Sequence, residues 1–567
     1  MCVPFTFKAK VLFWFFALCF VIIAGRLAII QFQHHIKYSE ACSQQNSVKV
    51  ALCDISRGHI YDRHGNSLTG TFSSDRIVVL AVDDKIKAEV ARSLARILGI
   101  SETKLNHLLS RPGILPFPLT AHQKEAIITK KWPGITIQLV QFRYGIDSLA
   151  AHIVGHLGQL TSAYELHKLH KVSGKTYRWD DLVGRAGIEL FYEPFLHYSE
   201  APFAVSQYID AEGRPLAGLD INIVQSNHDG GDVYLTIDAK IQRCVEKVMD
   251  NHVPKGAVVV MDVHNGDILA CASRPTYKPQ DIEEYLRTGE GECFFNRALG
   301  LYQPGSIFKI LLAAAALEEK IVTPHSTFQC QGRDDPLIGC WLDKGHGVIS
   351  FQRAFADSCN PAFAQLGLKL GAANIISYAR KMGLDDQNIT GFPAPPDPRQ
   401  DWRLLERPFN LVNASIGQGP VLLSPVQITT LTAVIANGGY KIKPRLVKEL
   451  RRGDKVVKRL SPEPGRRILS TQTVSLMQKL MTEVTTTGQG VAAYLPFWGS
   501  AGKTGSAQVG NMGSINAWFT GFFPLDKPQY AVTVLVENGI SGAKTAAPIF
   551  KTIAQEVMKE RMHQRKQ

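Results

Sequence analysis

Three short motifs, separated by long stretches of chain, constrain the fold of this 567-residue protein more than any other feature of its sequence. They are Ser306-x-x-Lys309, Ser358-x-Asn360 and Lys503-Thr504-Gly505. The second begins 52 residues after the first, and the third begins 145 residues after the second. Ser-x-x-Lys occurs four times here and means little alone, but Lys-Thr-Gly occurs once. The order of the three predicts a fold that brings distant segments to one cleft.

The first motif places a hydroxyl and an amine on one turn of a helix. Residues 306–319 are apolar nearly all round, which predicts a buried helix. Ser306 lies in its first turn, where free N–H groups and the helix dipole favour negative charge. Lys309 lies one turn later, and burial would lower its pKa so that a neutral amine can take the serine proton. Taken alone, the pair equally fits an N-cap serine followed by a snorkelling lysine.

The second motif adds groups that would complete a serine acyl-transfer site. It follows a short helical run, residues 351–357, and precedes Pro361, which we expect to break the backbone. Ser358 would relay a proton with Lys309, and Asn360 would donate to a backbone carbonyl of the substrate. Taken alone, Asn before Pro is an ordinary turn.

The third motif predicts an edge strand beside the cleft. Lys503 and Thr504 would bind a terminal carboxylate, and Gly505 would let the backbone approach the ligand. The backbone N–H groups of Ser306 and Ser506 would form an oxyanion hole. A nucleotide-binding loop is the alternative, but Phe497 occupies the position at which that loop motif requires its first glycine.

Residues 11–30 predict a transmembrane anchor, because twenty helical residues span about 30 Å. Lys8 and Lys10 favour a cytoplasmic N-terminal tail, residues 1–10, and leave the catalytic mass outside the cell. A cleaved signal peptide is the alternative, and no clear small-x-small cleavage site follows the apolar stretch. We therefore expect a single-pass protein of the cell membrane.

The rest of the composition is that of a globular protein, 45% hydrophobic and 20% charged. The net charge of +13 comes from scattered basic residues with small clusters at 441–445, 451–459 and 559–566. None is interleaved with aromatic residues, so we expect a solvated face and no nucleic-acid partner.

The order of elements predicts an α/β (α+β) fold. Alternating segments at 233–237, 257–262 and 267–273, and again at 517–523 and 530–537, indicate strands. They enclose a long helical middle, and residues 546–562 predict a terminal helix. This order favours an antiparallel sheet flanked by helices.

The ten cysteines are too sparse for a disulfide scaffold. Cys330 and Cys340 bracket a short polar loop, and outside the cell they could form a disulfide. A zinc site that uses both with His346 lacks an evident fourth ligand. Free thiols are the third reading. We expect no metal and no cofactor at the site.

With these motifs, the chain resembles the class B penicillin-binding proteins, the monofunctional D,D-transpeptidases of peptidoglycan synthesis. The resemblance extends over almost the whole chain, and its other motifs are Arg57-Gly58, Asp62-Arg63, Gly65, Gly187-Ile188-Glu189, Leu235 to Asp238, Asn296-Arg297, Gly417-Gln418-Gly419, Ser424-Pro425 and Ala517 to Gly521. It implies a penicillin-binding, serine β-lactamase-like transpeptidase domain at 229–562, on an elongated N-terminal pedestal (dimerisation) domain at 56–228. A stalk at 31–55, helical over 31–50, would join the pedestal to the anchor.

The resemblance also implies a reaction. Ser306 would attack the D-Ala-D-Ala bond of a peptidoglycan stem peptide, and an amine of a neighbouring stem would resolve the acyl-enzyme into a cross-link. β-Lactams would imitate the dipeptide and leave Ser306 acylated. Expected partners are stem peptides, β-lactams, the cytoplasmic membrane and a polytopic glycosyltransferase.

Two alternatives remain at the level of sequence. Water would resolve the acyl-enzyme in a D,D-carboxypeptidase or a β-lactamase-like hydrolase, whereas a scaffold would only recruit a polytopic glycan polymerase. The chain also departs from its relatives at Ile307 and Ser506, where many of them carry Thr. Ser506 should be nearly neutral, because the oxyanion hole would use only its backbone N–H.

Overall fold

A computed structural model describes residues 5–35, 38, 46–216, 219–226, 229–393, 400–510 and 513–566. The α-helices, in chain order, are α1 (Phe5–Gln33), α2 (Asp84–Leu98), α3 (Glu102–Leu108), α4 (Ala121–Ile128), α5 (Ala151–Val154), α6 (Ala163–Ser173), α7 (Gly187–Phe191), α8 (Glu193–Leu196), α9 (Ala239–His252), α10 (Ile282–Thr288), α11 (Lys309–Glu318), α12 (Phe351–Ala356), α13 (Asn360–Lys381), α14 (Pro408–Ala414), α15 (Pro425–Ala436), α16 (Thr471–Thr486) and α17 (Ala547–Lys566). The strands are β1 (Ser47–Ala51), β2 (Ile60–Tyr61), β3 (Phe72–Val79), β4 (Gly113–Ile114), β5 (Ile135–Phe142), β6 (Leu157–Gln159), β7 (Leu182–Gly184), β8 (Phe203–Tyr208), β9 (Asn222–Gln225), β10 (Asp232–Leu235), β11 (Gly256–Asp262), β12 (Ile268–Arg274), β13 (Thr327–Cys330), β14 (Gly347–Ser350), β15 (Val447–Arg452), β16 (Lys455–Arg459), β17 (Ala501–Val509), β18 (Ser514–Phe523) and β19 (Tyr530–Val536).

The predicted anchor lies within α1. Its part Ala9–Gln33 is long and apolar enough to cross a membrane, and it contains the predicted span. The stalk prediction is wrong at its end, since residues 47–51 form β1, which pairs antiparallel with β8. The alternation of Val48 and Val50 with polar residues has the period of a strand, and it buries Val50. Residues 36, 37 and 39–45 of the stalk lie outside the described residues.

The chain divides into two compact units that are discontinuous in sequence. The first contains residues 1–56, 72–142 and 200–228, and the second contains residues 57–71, 143–199 and 229–567. The first unit has two three-stranded sheets, in the orders β1-β8-β9 and β4-β3-β5. Two segments that the sequence assigns to the pedestal, residues 57–71 and 143–199, therefore pack with the second unit.

The second unit is organised around a five-stranded antiparallel sheet in the order β12-β11-β19-β18-β17. Successive residues of β11 face opposite sides, because side chains alternate along a strand. Val258 and Val260 pack in one core with α9 and α17. Val259 and Met261 pack in another core with α11 and α15. The prediction of an antiparallel sheet flanked by helices is confirmed.

The motifs Arg57-Gly58 and Gly187-Ile188-Glu189 meet in a buried ion cluster. Arg57 Nε lies 2.6 Å from Glu189 Oε2, and Arg143 Nη2 lies 2.6 Å from Glu189 Oε1. Tyr144 donates its hydroxyl to the same carboxylate at 2.8 Å. Burial alone would raise the pKa of Glu189, but the two guanidinium groups outweigh burial and lower it. Arg57 and Glu189, which the sequence marks only as parts of the family resemblance, thus form a charged core with Arg143.

Candidate active site

The first motif lies where a 3₁₀ turn, Gly305–Phe308, runs into the buried helix α11. Gly305 has a φ of +56°, and a Cβ there would lie 3.1 Å from the carbonyl carbon of Ser506. Both observations require glycine at this position. The turn that carries Ser306 therefore packs directly against the backbone of the third motif, as the sequence predicts.

Lys309 is fully buried behind Ser306. Its Nζ donates to the carbonyl oxygen of Ser358 at 2.8 Å, to Ser358 Oγ at 3.3 Å and to Asn360 Oδ1 at 2.8 Å. Burial lowers the pKa of Lys309 to about 7. In the described chain its ammonium makes no hydrogen bond to Ser306 Oγ, so it is anchored on the second motif.

The second motif joins α12 to α13. Ser358 has a left-handed backbone with a φ of +57°, and its side chain is buried. Asn360 is the first residue of α13, so the expectation that Pro361 breaks the backbone here is wrong. A proline in the first helical turn lacks only an N–H that has no helical partner there, and it starts the helix.

The third motif lies on β17, the edge strand of the sheet, as predicted. Lys503 is fully buried, and its Nζ donates to the carbonyl of Thr504 at 3.3 Å. Burial, and then the charge of Lys309, lower the pKa of Lys503 well below its ordinary value, while the charge of Asp357 opposes them. Lys503 therefore lies behind the cleft wall, whereas Thr504 is on it.

One cleft of about 280 Å³ brings the motifs together. Of the predicted residues, those that line it are Ser306, Ser358, Asn360, Thr504, Gly505 and Ser506. Sequence reasoning missed the others, which are Trp341, Ile416, Gln418, Gln489, Ser541 and Ala543. Gln418 lies inside the Gly-Gln-Gly motif and could have been found there; nothing in the sequence marks the rest.

The departure from the family pattern at Ile307 has a packing consequence. Ile307 is fully buried, and its Cγ1 lies 2.8 Å from the place that a Cβ on Gly505 would occupy. The larger apolar side chain thus fills the space that glycine leaves on β17. Ser506 departs on the other side of the strand, where its Oγ accepts the backbone N–H of Gly542 at 3.0 Å.

A four-residue cluster beside the second motif has the donors of a metal site. The ligand atoms of Cys330, Cys340, His346 and Cys359 all lie within 4.8 Å of one another. All three thiols are unbridged, so the structure does not contain the disulfide considered above. The fourth ligand that the sequence did not suggest is Cys359, the middle residue of the second motif. Three sulfurs and an imidazole form a donor set typical of structural Zn²⁺.

The loop held by this cluster forms one wall of the cleft. Trp341 is 52% exposed, and its indole N–H donates to the carbonyl of Asp357 at 2.9 Å. Asn360 Nδ2 donates to the carbonyl of Gly339 at 3.3 Å. One member of the cluster, Cys359, directly precedes Asn360 in the chain. The loop between the other members contacts the side chain of Asn360.

A serine at the start of a buried helix, a buried lysine one turn later and an edge strand beside them define the class of penicillin-recognising serine acyl-transfer folds. The family model for the penicillin-binding protein transpeptidase domain matches residues 256–555. The model for the penicillin-binding protein dimerisation domain matches residues 54–235. The chain belongs to the class B penicillin-binding proteins.

Curated relatives agree over most of the chain. The peptidoglycan D,D-transpeptidase MrdA of Acinetobacter baumannii is 26% identical over 94% of this chain and 85% of its own length. Stage V sporulation protein D of Bacillus subtilis is 28% identical over 98% of this chain and 86% of its own length. The peptidoglycan D,D-transpeptidase PbpA of Mycobacterium tuberculosis is 33% identical over 58% of this chain and 73% of its own length.

Solved structures share the fold. A chain from a peptidoglycan synthase complex matches with a TM-score of 0.73 and 24% identity, over 97% of this chain and 98% of that one. PBP2 from a complex with MreC of Helicobacter pylori matches with a TM-score of 0.67 and 21% identity, over 90% of this chain and 98% of that one.

Proposed function

We propose that this protein is a peptidoglycan D,D-transpeptidase that cross-links stem peptides through an acyl-enzyme on Ser306. The observation that carries the proposal is one cleft on which Ser306, Ser358 and Thr504 open, with Lys309 buried behind it. The relatives named as peptidoglycan D,D-transpeptidases support the substrate class.

In the first step, Ser306 Oγ attacks the carbonyl of the penultimate D-Ala. The neutral amine of Lys309 takes the hydroxyl proton, directly or through Ser358. The backbone N–H groups of Ser306 and Ser506 stabilise the oxyanion. The C–N bond then breaks, and the terminal D-Ala leaves with the proton.

In the second step, an amine of a neighbouring stem attacks the ester on Ser306 and loses a proton to the same base. The new amide forms, and Ser306 leaves with its proton restored. Asn360 donates to the backbone of the donor peptide in both steps. Thr504 binds the carboxylate of the terminal D-Ala in the first step only, before that residue leaves.

The cellular setting belongs to the same proposal. α1 anchors the chain in the cell membrane by a single pass, and Lys8 and Lys10 favour a cytoplasmic N-terminus with the catalytic unit outside. We propose a polytopic glycan polymerase as the partner, since a structural relative is part of a peptidoglycan synthase complex.

The test is mass spectrometry of the full-length protein after exposure to benzylpenicillin. We expect one adduct that maps to Ser306, no adduct in Ser306→Ala, and an unchanged adduct in Ser541→Ala, which removes another hydroxyl of the same cleft. An intact drug without adduct would favour a scaffold. A destroyed drug without adduct would favour a β-lactamase-like hydrolase.

Transpeptidation is separated from carboxypeptidation by the products formed from a pentapeptide stem. Cross-linked dimer is expected when an acceptor amine is supplied. Release of tetrapeptide alone, with the acceptor in excess, would identify a D,D-carboxypeptidase instead.

A further inference from the structure

The second unit contains another cavity, of about 360 Å³, that shares no lining residue with the catalytic cleft. Four chain segments form it: the turn after α13 at 383–389, the first turns of α15, and residues 441–444 and 463–466, with Leu299 at one side. A volume of this size is in the range of small-molecule sites.

Hydrogen bonds fix the walls of this cavity. Gln427 donates its side-chain amide to the carbonyls of Leu384 and Asp386, at 2.7 and 3.3 Å, and accepts the backbone N–H of Ser424 at 2.9 Å. Lys441 donates its backbone N–H to the carbonyl of Arg466 at 2.8 Å. The cavity is therefore preformed, and binding need not order its walls.

The rim of the cavity is basic. Its charged residues are Lys441, Lys443, Arg466, Asp386 and Glu463. Glu463 is engaged by Lys443 at 3.0 Å, and Asp386 Oδ1 accepts the backbone N–H of Asn388 at 2.7 Å. Within the described residues, neither Lys441 nor Arg466 has a carboxylate within ion-pair distance.

The surrounding chain strengthens this positive charge. Residues 441–467 contain eleven Lys or Arg and three Asp or Glu, which is most of the net charge of +13. Apolar side chains, Val426, Ile442 and Pro444 among them, line the cavity as well. The basic cluster at 441–445, which the sequence left as a solvated face, thus lines a cavity with a partly apolar wall.

We propose that this cavity binds a small anionic ligand, a carboxylate or phosphate group on a partly apolar body, and that Lys441 and Arg466 hold the anion. The chemistry is the same whether the anion is a free phosphate compound or a carboxylate-bearing fragment of the cell wall. The cations supply charge-assisted hydrogen bonds to the anionic group, and the apolar wall packs on the body of the ligand.

The cavity wall is continuous with the segment that carries the nucleophile. Val426 donates its backbone N–H to the carbonyl of Ala298 at 3.3 Å, next to Leu299. Leu423 and Tyr302 exchange two backbone hydrogen bonds, at 2.8 and 3.0 Å, four residues before Ser306. An occupied cavity therefore changes the rate of acylation at Ser306, a consequence that rests on the proposed function.

The binding test uses the full-length protein in phosphatidylcholine nanodiscs, whose lipid carries no net charge. Calorimetry is run with inorganic phosphate and, separately, with muramyl dipeptide, which carries a carboxylate. We expect saturable binding of one probe at one site, weakened about tenfold by Lys441→Gln and by Arg466→Gln, the loss of one charge-assisted hydrogen bond.

Lys455→Gln is the matched control, because it removes the same charge from the same basic segment but lies outside the cavity. It should leave the affinity within about twofold, since an exposed charge contributes little. Equal weakening by all three variants would mean diffuse attraction and would overturn the site. Absence of binding by both probes would overturn it too.

Coupling is measured as the acylation rate with fluorescent penicillin, with and without saturating probe. The rate should change at least about twofold in the wild type, a coupling at the low end of allosteric effects, and not in Lys441→Gln/Arg466→Gln. If a probe binds but the acylation rate does not change, the coupling is refuted while the binding site stands. Binding without any acylation would refute the proposed function alone.

Discussion

The ammonium of Lys309 lies 2.8 Å from the side-chain carbonyl of Asn360, and this contact joins the first motif to the second. The same ammonium donates to the main-chain carbonyl of Ser358, so the second motif holds the buried amine of the first through both of its ends. Its partners are two carbonyl oxygens and a hydroxyl, none of which carries a charge. Because no negative charge offsets the burial of Lys309, burial lowers its pKa.

The first prediction concerns the pH dependence of acylation. Because burial lowers the pKa of Lys309 to about 7, the neutral amine accumulates as pH rises through that value. Below about 7, the second-order rate of β-lactam acylation should rise by about tenfold per pH unit, and above it the rate should level off. Stopped-flow acylation in buffers of constant ionic strength measures the profile.

The same shift has a consequence for stability. An unfolded lysine binds its proton up to about pH 10.5, so the unfolded state holds more protons than the folded state between about 7 and 10.5. The contribution of Lys309 to stability therefore falls as pH falls through this window and is constant below it.

Lys309→Met should remove this pH dependence of stability and abolish acylation. A flat acylation profile in the wild type would show that another group is the base.

The second prediction concerns the segment before the nucleophile. Tyr302 donates its hydroxyl to Glu537 Oε1 at 2.9 Å, and Arg297 donates to the same oxygen at 2.9 Å. Tyr302→Phe removes one hydrogen bond to a charged acceptor, and it should slow acylation by about tenfold. The ground-state affinity for a non-reactive stem peptide should change less. Tyr494→Phe, at a partly exposed site, should change neither, and equal effects of both variants would contradict the prediction.

Much of the site could be predicted from the sequence because its parts are local. The run 306–319 predicts a buried helix because it is apolar on nearly every side, although the α-helix begins only at Lys309, after a 3₁₀ turn. Gly505 marks a close backbone approach. The direction in which a side chain faces was harder to predict from the sequence. Lys503 was expected to bind a terminal carboxylate together with Thr504, but the structure buries Lys503 and leaves only Thr504 on the cleft wall.

The residues that were missed come from contacts distant in sequence. Cys359 meets Cys330 and Cys340 because α13 begins beside their loop, a tertiary fact that no spacing rule gives. Arg143 and Glu189 pair across 46 residues in the same way. The discontinuous units had no signal either, since turn residues mark where a chain bends but not which segments pack together.

The third prediction is that the cysteine cluster binds one Zn²⁺, contrary to the expectation of no metal. Elemental analysis of protein purified without chelator should give about one zinc per chain. Cys330→Ser and His346→Ala should lose it, whereas Cys244→Ser, outside the cluster, should keep it. Metal removal should lower the Tm and slow acylation, because the loop contacts Asn360 through Gly339. Only trace zinc in the wild type as well as in the variants would contradict the prediction.

The fourth prediction concerns the buried ion cluster of the second unit. Glu189→Gln leaves Arg57 and Arg143 without their shared carboxylate, and removing one partner of a buried pair costs about 3–5 kcal/mol. The variant should therefore show a clearly lower Tm by calorimetry. Glu212→Gln breaks the exposed pair with Arg214, and it should cost at most about 1 kcal/mol.

The pH dependence separates the charge of Glu189 from its shape. The pKa of Glu189 is lowered in the folded state, so its contribution is present above the unfolded value near 4.5 and is lost as pH falls through the folded value. The Tm difference between wild type and Glu189→Gln should therefore be constant from neutral pH to about 4.5 and shrink in more acidic solution. A difference that persists unchanged in acid would assign the loss to packing, because a protonated glutamate and a glutamine have nearly the same shape.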